Sequence, residues 1–377
     1  MTINFKLNGK DAVAQQGQTI LQAAEANGVK IPTLCYHKDL NPSGSCRMCV
    51  VDVKDSRFLQ TACTTQVWEG IELETNNETT RQSRKLTLEM MLANHPQDCI
   101  TCQENGACEL QDLAYEYKVE APSWGSKGAR YVVNSDPNPF IRVDMNRCIL
   151  CGRCVQACAE IQVRDVWGFA ERGFDKVVVA GANTTMLEAG CESCGQCVAY
   201  CPTGALENKL NYGLARAKDV EKATTTCTYC GVGCQFDLLV KNDKVIGVES
   251  NPDAPVNGMA LCVKGRYGYD FIHHEERLTK PLVRRYLLEN GSAHSDTGKP
   301  KGQLAAGTNP LWDWVETSWE QALDITAEKL ASARDTYGAD SIGILTSAKC
   351  TNEENYLMNK FARQVVGTNN IDHCARL

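Results

Sequence analysis

Several familiar sequence signals are missing from this chain. No secretory signal opens it: Met1 to Leu7 alternates Ile3, Phe5 and Leu7 with polar residues, as an edge strand would. No twin-arginine leader precedes that strand, since Arg284 and Arg285 lie far inside. No apolar run approaches the roughly 20 residues that cross a bilayer; Val177 to Ala182 is typical of what there is. Basic charge is also lacking, with 39 Lys and Arg against 46 Asp and Glu and a net charge of −7, which argues against nucleic acid. These absences lead to the expectation of a cytoplasmic protein without a membrane span.

What is present in excess is cysteine, 21 among 377 residues. An odd count cannot pair fully, and most of these residues fall in clusters too tight for ordinary disulfides. They read as thiolate ligands kept in a reducing compartment. A chain of this length is expected to hold two or more domains.

The most regular clusters are Cys148, Cys151, Cys154, Cys158 and Cys191, Cys194, Cys197, Cys201, the latter followed by Pro202. Both follow C-x2-C-x2-C-x3-C, the two-cluster ferredoxin run in which the fourth Cys of each run serves the other cluster. One 4Fe–4S cluster is therefore assigned to Cys148, Cys151, Cys154 and Cys201, and a second to Cys191, Cys194, Cys197 and Cys158. Zinc is the alternative, although it usually takes separated pairs of ligands. The first run ends in Ala159 where the pattern often has Pro. The insert from Ile161 to Met186, with Val177 opening a strand, reads as scaffold.

Residues 1–80 read as a β-grasp domain: a strand, a hairpin at Asn8-Gly9, and a short helix from Thr19 to Asn27 stopped by Gly28. A loop then carries Cys35, Cys46 and Cys49 into strand Val50–Val53, and Cys63 follows. This spacing, C-x10-C-x2-C-x13-C, resembles the N-terminal 2Fe–2S domain of complex I large subunits, iron-only hydrogenases and some formate dehydrogenases. Four buried structural cysteines are the alternative. Gly44 and Ser45 should let backbone amides approach the sulfurs. Residues 81–120 form a second segment, in which a helix from about Thr80 to Asn94 leads to His95, Cys99, Cys102 and Cys108. The run is short of a fourth thiolate, and His95 just before Pro96 supplies the missing 4Fe–4S ligand. The motif is specific to the same families, and an imidazole ligand makes a cluster less negative and raises its potential. Residues 115–145, with Pro122 and Gly125, read as a linker into the ferredoxin domain of residues 140–208.

Residues 223–277 hold Cys227, Cys230, Cys234 and, beyond a hairpin at Asn242-Asp243, Cys262. Spacing alone leaves zinc open there. The continuation Cys262, Lys264, Gly265, Arg266 resembles the entry to the molybdopterin oxidoreductase family, where a 4Fe–4S cluster sits beside a bis-pterin molybdenum or tungsten cofactor. That resemblance puts Lys264 on the electron path and in the cofactor site. Residues 278–315 read as a loop. A capping box at Ser318 and Gln321 should open a helix to Tyr337, with Leu323 and Leu330 facing inward. Ser341 to Thr346 reads as a buried strand. Thr351 and Glu354 should cap a helix with an apolar face at Leu357, Phe361 and Val365, ended by Gly367 before a strand from Asn370. This is βαβ, the opening of a doubly wound domain over 278–377 that needs more sheet to close its core.

Ser347 to Tyr356 and Gly367 to Leu377 resemble formate dehydrogenase large subunits, and the resemblance spans the chain. It implies an α+β multidomain enzyme: a 2Fe–2S β-grasp domain, a His/Cys 4Fe–4S segment, a two-cluster 4Fe–4S ferredoxin domain, and the start of a molybdopterin-oxidoreductase α/β domain. It further implies one 2Fe–2S and four 4Fe–4S clusters, a bis-molybdopterin guanine dinucleotide with Mo or W, and cofactor contacts from Asn352, Glu353 and Asp372. Cys374 reads as an active-site neighbour and Cys350 as a small filler. In that family the catalytic Cys or selenocysteine follows the Ala-Arg-Leu at 375–377. The expectation is that the polypeptide continues there through a UGA-encoded selenocysteine. The implied chemistry is interconversion of formate and carbon dioxide. The implied partner is a flavin-containing NAD(P)H dehydrogenase-type subunit, a hydrogenase or a ferredoxin-like protein. The alternatives are a non-catalytic electron-relay subunit and a complex I-type large subunit.

Overall fold

The computed structural model describes residues 1–120, 128–289 and 313–374. The chain divides into two units, Met1–Thr225 with Gln235–Tyr269, and Thr226–Cys234 with Asp270–Leu377.

The first unit opens with β1 (Thr2–Leu7) and β2 (Lys10–Gln15), joined through Asn8 and Gly9 at φ 53° and 76°, as a tight primed turn requires. Helix α1 (Ile20–Ala26) follows, with Thr19 and Gln22 forming the full capping box. Strands β3 (Val50–Val53), β4 (Gln60–Thr61) and β5 (Glu72–Glu74) complete a sheet in the order β2-β1-β5-β3-β4, with β1 and β5 parallel. The first strand is therefore interior and β2 lies at the edge, contrary to the sequence reading. The cause is the return of β5 alongside β1, a pairing of residues more than 60 apart that local alternation does not encode. Phe5, Leu7, Ile20, Ala23, Ala24, Val51 and Leu73 form the core beneath this sheet, together with Cys49 and Cys63.

Helix α2 (Glu78–Leu92) starts two residues before the expected Thr80, because the Asn77 side chain accepts from the Thr80 amide. Helix α3 (Glu109–Glu116) begins immediately after Cys108. Strand β6 (Ile141–Val143) pairs with β9 (Leu206–Asn208), closing a small domain around β7 (Trp167–Ala170), β8 (Val177–Ala180) and helices α4 (Arg153–Gln156) and α5 (Gln196–Ala199). Its two cysteine runs share one backbone path. Leu150 and Ser193 both have φ 55°, and Gly152 and Gly195 follow at 79° and 73°. A second sheet runs β10 (Glu221–Thr226), β11 (Gln235–Lys241), β12 (Lys244–Ser250), and helix α6 (Val263–Tyr267) follows Cys262.

In the second unit, β13 (Leu282–Arg284) and α7 (Arg285–Glu289) lie where a loop was expected, and β13 pairs antiparallel with β14 (Trp314–Glu316). The Gly- and Pro-rich stretch 290–312 lies outside the described residues, as do Pro122, Gly125 and the Ala-Arg-Leu at 375–377. Helix α8 (Trp319–Tyr337) has half of the expected capping box: Ser318 Oγ accepts from the Gln321 amide, while the Gln321 side chain turns to Thr317. Strands β15 (Ile344–Ser347) and β16 (Ile371–Cys374) pair in parallel across helix α9 (Asn352–Lys360), the βαβ unit anticipated from the sequence.

Three facing assignments differ from expectation. Leu323 is 60% exposed, and the inner side of α8 is Leu330 with Ala333. In β15 only Ile344 is buried, and Leu345 is 85% exposed, so the strand has one open face. After α9 the chain widens into a π-turn, Phe361–Val366, which rotates the apolar stripe. Ala362 and Val366 are buried in consequence, whereas Leu357 and Val365 are 60% and 57% exposed.

Among the described residues, no helix is long and apolar enough to cross a membrane. All 21 cysteines are free of disulfides.

Gly195 is held tightly: an added Cβ would fall 2.3 Å from Arg266 Cδ and 2.4 Å from Tyr267 Oη. Gly195→Ala should therefore lose about 3 kcal/mol in chemical unfolding, from left-handed φ and overlap together. Gly213→Ala, at φ 79° with nothing within 4 Å, should lose only the backbone share, roughly 1 kcal/mol. Equal losses would refute the packing argument.

Candidate metal centres

The loop from Cys35 to Cys49 folds back so that its amides meet its own sulfurs. Cys35 N–H donates to Cys46 Sγ at 3.4 Å, and Cys46 N–H and Met48 N–H donate to Cys35 Sγ and Cys46 Sγ at 3.5 Å. Gly44 and Arg47, both at φ 61°, make the necessary bends. Cys49 Sγ lies 3.4 Å from Cys63 Sγ, and all four side chains are buried. A hydrogen bond from Cys46 brings Cys35 down to about 4, and one from Cys63 brings Cys49 to about 7. The proton-giving partners are pushed far up in return, Cys46 and Cys63 each by that hydrogen bond first and by burial second. Each pair thus sheds one proton readily and holds the other, so four thiolates require compensating positive charge at this spot.

His95, Cys99, Cys102 and Cys108 line a single pocket, shared with Glu104, Arg147 and Gly204. The turn Cys99–Thr101, with Cys102 at its end, and Cys108 at the N-cap of α3 present the thiols. His95 Nδ1 is buried with no hydrogen-bond partner. Burial, then the Arg147 charge, lowers its pKa to about 4, so the imidazole is neutral, the form that binds metal. Burial raises Cys102 and takes Cys108 to about 11. It also lifts Glu104 to about 7, with Glu207 adding to the shift. An orphaned imidazole nitrogen among three thiols fits a cluster with one His and three Cys ligands.

In the ferredoxin-like region, Cys148, Cys151, Cys154 and Cys201 line one pocket. The fourth thiol does come from the other run. Burial raises Cys148 to about 11 and Cys151 to about 12, and it also raises Cys154, where the charges of Cys148, Cys151 and Cys201 add to it. The second set is gathered in the same way, with Cys158 raising the pKa of Cys191, Cys194 and Cys197 after burial has done most of it. Amides again reach the sulfurs: Leu150 to Cys148 at 3.4 Å, Ser193 to Cys191 at 3.3 Å, and Val166 to Cys158 at 3.3 Å. Among the described residues, no group of three or more His, Cys, Asp or Glu is placed to hold a single metal ion.

The sequence reading missed the buried arginines that join these loops. Arg153 closes a fork on Glu109 at 2.6 and 2.8 Å and donates to the Tyr36 carbonyl at 2.8 Å. Arg147 pairs with Asp98 at 2.9 Å and Asp144 at 3.1 Å. Arg266 donates to the Cys194 carbonyl at 2.8 Å. Their adjacency to cysteines, Arg147 before Cys148 and Arg153 before Cys154, was the available signal. One buried cluster contains Cys35, Cys46, Cys108 and Cys151, thiols of three expected centres, around Leu34, Met48, Leu88 and Leu110.

Cys227, Cys230 and Cys234 lie on one loop of the second unit, closed by Cys227 N–H donating to the Cys234 carbonyl at 2.8 Å. Asn352, at the start of α9, donates to the Gly231 carbonyl of that loop at 2.7 Å. Cys262 is exposed and caps α6 in the first unit, with Lys264 exposed in its first turn. Glu353 and Asp372 are exposed; the Asp372 carboxylate accepts from the next amide at 2.8 Å and its carbonyl from Thr346 Oγ1 at 3.3 Å. Cys350 is half-buried and Cys374 exposed.

Comparison with known families gives five successive matches. Residues 1–78 match a 2Fe-2S iron-sulfur cluster binding domain, and 84–123 the NADH-ubiquinone oxidoreductase-G iron-sulfur binding region. Residues 138–207 match the ferredoxin-like domain of NADH-quinone oxidoreductase subunit 3, 220–274 the molybdopterin oxidoreductase Fe4S4 domain, and 277–377 molybdopterin oxidoreductase. The fold and these matches define a chain in which 2Fe–2S and 4Fe–4S binding domains lead into the start of a molybdopterin oxidoreductase domain. Its relatives include "Probable oxidoreductase YjgC" of Bacillus subtilis (strain 168), 32% identical over 98% of this chain, and "Putative formate dehydrogenase SAB2186c" of Staphylococcus aureus (strain bovine RF122 / ET3-1), 31% identical over the same share. The chain spans 39% of the length of those relatives. Among solved structures, a chain of an NAD+-reducing [NiFe]-hydrogenase in the H2-reduced state is similar, with TM-score 0.52 and 31% identity over 55% of this chain and 87% of that one.

Arg153→Met should lower unfolding stability by about 2 kcal/mol, less than the ~3–5 of a fully buried pair because water can reach Glu109. Glu109→Gln keeps an acceptor for Arg153 and should cost about half as much. A Met variant no weaker than the Gln variant in urea unfolding would sink the role given to this pair.

Proposed function

We propose that this chain is the electron-carrying part of a formate dehydrogenase or carbon dioxide reductase large subunit, working in the cytoplasm. Its ligands are Cys35, Cys46, Cys49 and Cys63 for a 2Fe–2S centre, and His95, Cys99, Cys102 and Cys108 for a 4Fe–4S centre. The two crossed ferredoxin sets hold two more 4Fe–4S centres, and Cys227, Cys230, Cys234 and Cys262 hold the fourth. When bound, these clusters pass electrons singly, and a bis-pterin molybdenum or tungsten takes up the electron pair that formate yields. The protein's own contribution is to keep the thiols dry, to direct N–H groups at them and to keep His95 neutral. Lys264 would serve the electron path to the bound pterin, and Asn352, Glu353 and Asp372 would help to hold that cofactor. A flavin-bearing NAD(P)H dehydrogenase-type subunit, a hydrogenase or a ferredoxin-like protein receives electrons at the N-terminal end.

The observation that carries this reading is the shared core of Cys35, Cys46, Cys108 and Cys151, which packs three ligand sets on one apolar cluster. Electron transfer without loss to water requires such dry proximity. The likeness to the hydrogenase chain favours a second reading, a non-catalytic relay or complex I-type subunit.

Metal analysis decides between the two. The enzyme should carry about 18 iron per chain with molybdenum or tungsten, and should reduce a dye with formate. Iron without formate activity would leave the relay. His95→Cys should keep the iron and shift the potential of its centre more negative, since a thiolate adds negative charge. An unchanged potential would remove His95 from the ligand set.

A further inference from the structure

Arg84, on α2, is 1% exposed, and among the described residues it forms no ion pair with a carboxylate. Every hydrogen bond it makes among the described residues goes to a neutral oxygen. Nε donates to the Met48 carbonyl at 3.0 Å, Nη2 to the Val50 and Thr75 carbonyls at 2.7 and 2.8 Å, and Nη1 to Tyr117 Oη at 3.0 Å. Arg147 and Arg153 are also buried, yet each is paired with a carboxylate. Neutral acceptors satisfy a guanidinium's hydrogens and leave its charge in place, and an uncancelled charge in the interior is expensive. The opposite charge must therefore come from a neighbour of another kind.

Met48 and Val50 flank Cys49, and the Met48 N–H lies 3.5 Å from Cys46 Sγ. The guanidinium is thus bonded to the backbone on both sides of a thiol expected to ligate iron. We propose that Arg84 is the counter-cation of the N-terminal 2Fe–2S centre and holds its reduction potential above what four thiolates would set. The proposal rests on the reading of Cys35, Cys46, Cys49 and Cys63 as ligands. Reduction places one more negative charge on the cluster. A fixed cation across a low-dielectric gap stabilises the reduced form more than the oxidised one. Arg84 also joins the scaffolds of two centres: its own helix runs toward His95, and Tyr117 closes the helix that begins after Cys108.

The test is a redox titration of the purified full chain followed by electron paramagnetic resonance, at a temperature where the 2Fe–2S signal stands apart from the 4Fe–4S signals. Arg84→Gln should move the 2Fe–2S midpoint more negative with iron content unchanged, and Arg84→Lys should stay near the parent. Tyr117→Glu keeps Arg84 in place while setting a carboxylate against it, so it should give the same negative shift even if Arg84→Gln does not fold. Tyr117→Phe removes one hydrogen bond and no charge, and should leave the midpoint alone while lowering stability. A parent-like midpoint in iron-replete Arg84→Gln or Tyr117→Glu overturns the proposal. Absence of any 2Fe–2S signal in the parent overturns the ligand assignment instead.

Discussion

The Arg153 guanidinium reaches two loops from a third. It sits between Cys151 and Cys154, grips Glu109 beside Cys108, and donates to the carbonyl of Tyr36 beside Cys35. Three ligand-bearing loops, far apart in the chain, are thereby fixed against one another by a single side chain. A planar fork with five donors can do this, and an ammonium on a flexible stem cannot do it with the same rigidity. Arg147 makes the same kind of link between Cys148 and the Asp98 that precedes Cys99. These pairs are partly solvated at the carboxylate end, so their value lies more in positioning than in gross stability.

Around these fixed points the fold meets the demand that buried sulfur makes. Burial is the main cause that drives many of the thiols upward, to about 11 at Cys148 and Cys108 and about 12 at Cys151. The fold offsets this with backbone donors, and it accepts local strain to supply them. Leu150 adopts a left-handed conformation that a branched side chain rarely takes, and its amide meets Cys148 Sγ at 3.4 Å. Ser193 repeats the device at Cys191 in the second run.

The second unit shows where pattern reading loses its grip. The stripe Leu357, Phe361, Val365 is a sound α-helical face, yet a π-turn inserted at Phe361 rotates it, and Ala362 and Val366 become the buried pair. Leu323 and Leu345 are apolar and exposed because the elements beside them cover only one face. Periodicity reports which residues are apolar, but burial depends on what packs there. The same limit explains β1: alternation identified a strand, while its interior place followed from the distant return of β5.

The grouping of thiols was legible in the sequence by itself, because cysteine-rich loops are short-range objects in which spacing dictates which thiols can lie together. The crossed fourth cysteines, the βαβ order and the hairpins at Asn8 and Asn242 were readable for the same local reason. Tertiary structure alone decided that thiols of three centres share one core, that Arg84 is buried without an anion, and that Arg153 binds three loops. Those facts depend on residues as many as 117 positions apart meeting in a low-dielectric interior, and no local spacing carries that information.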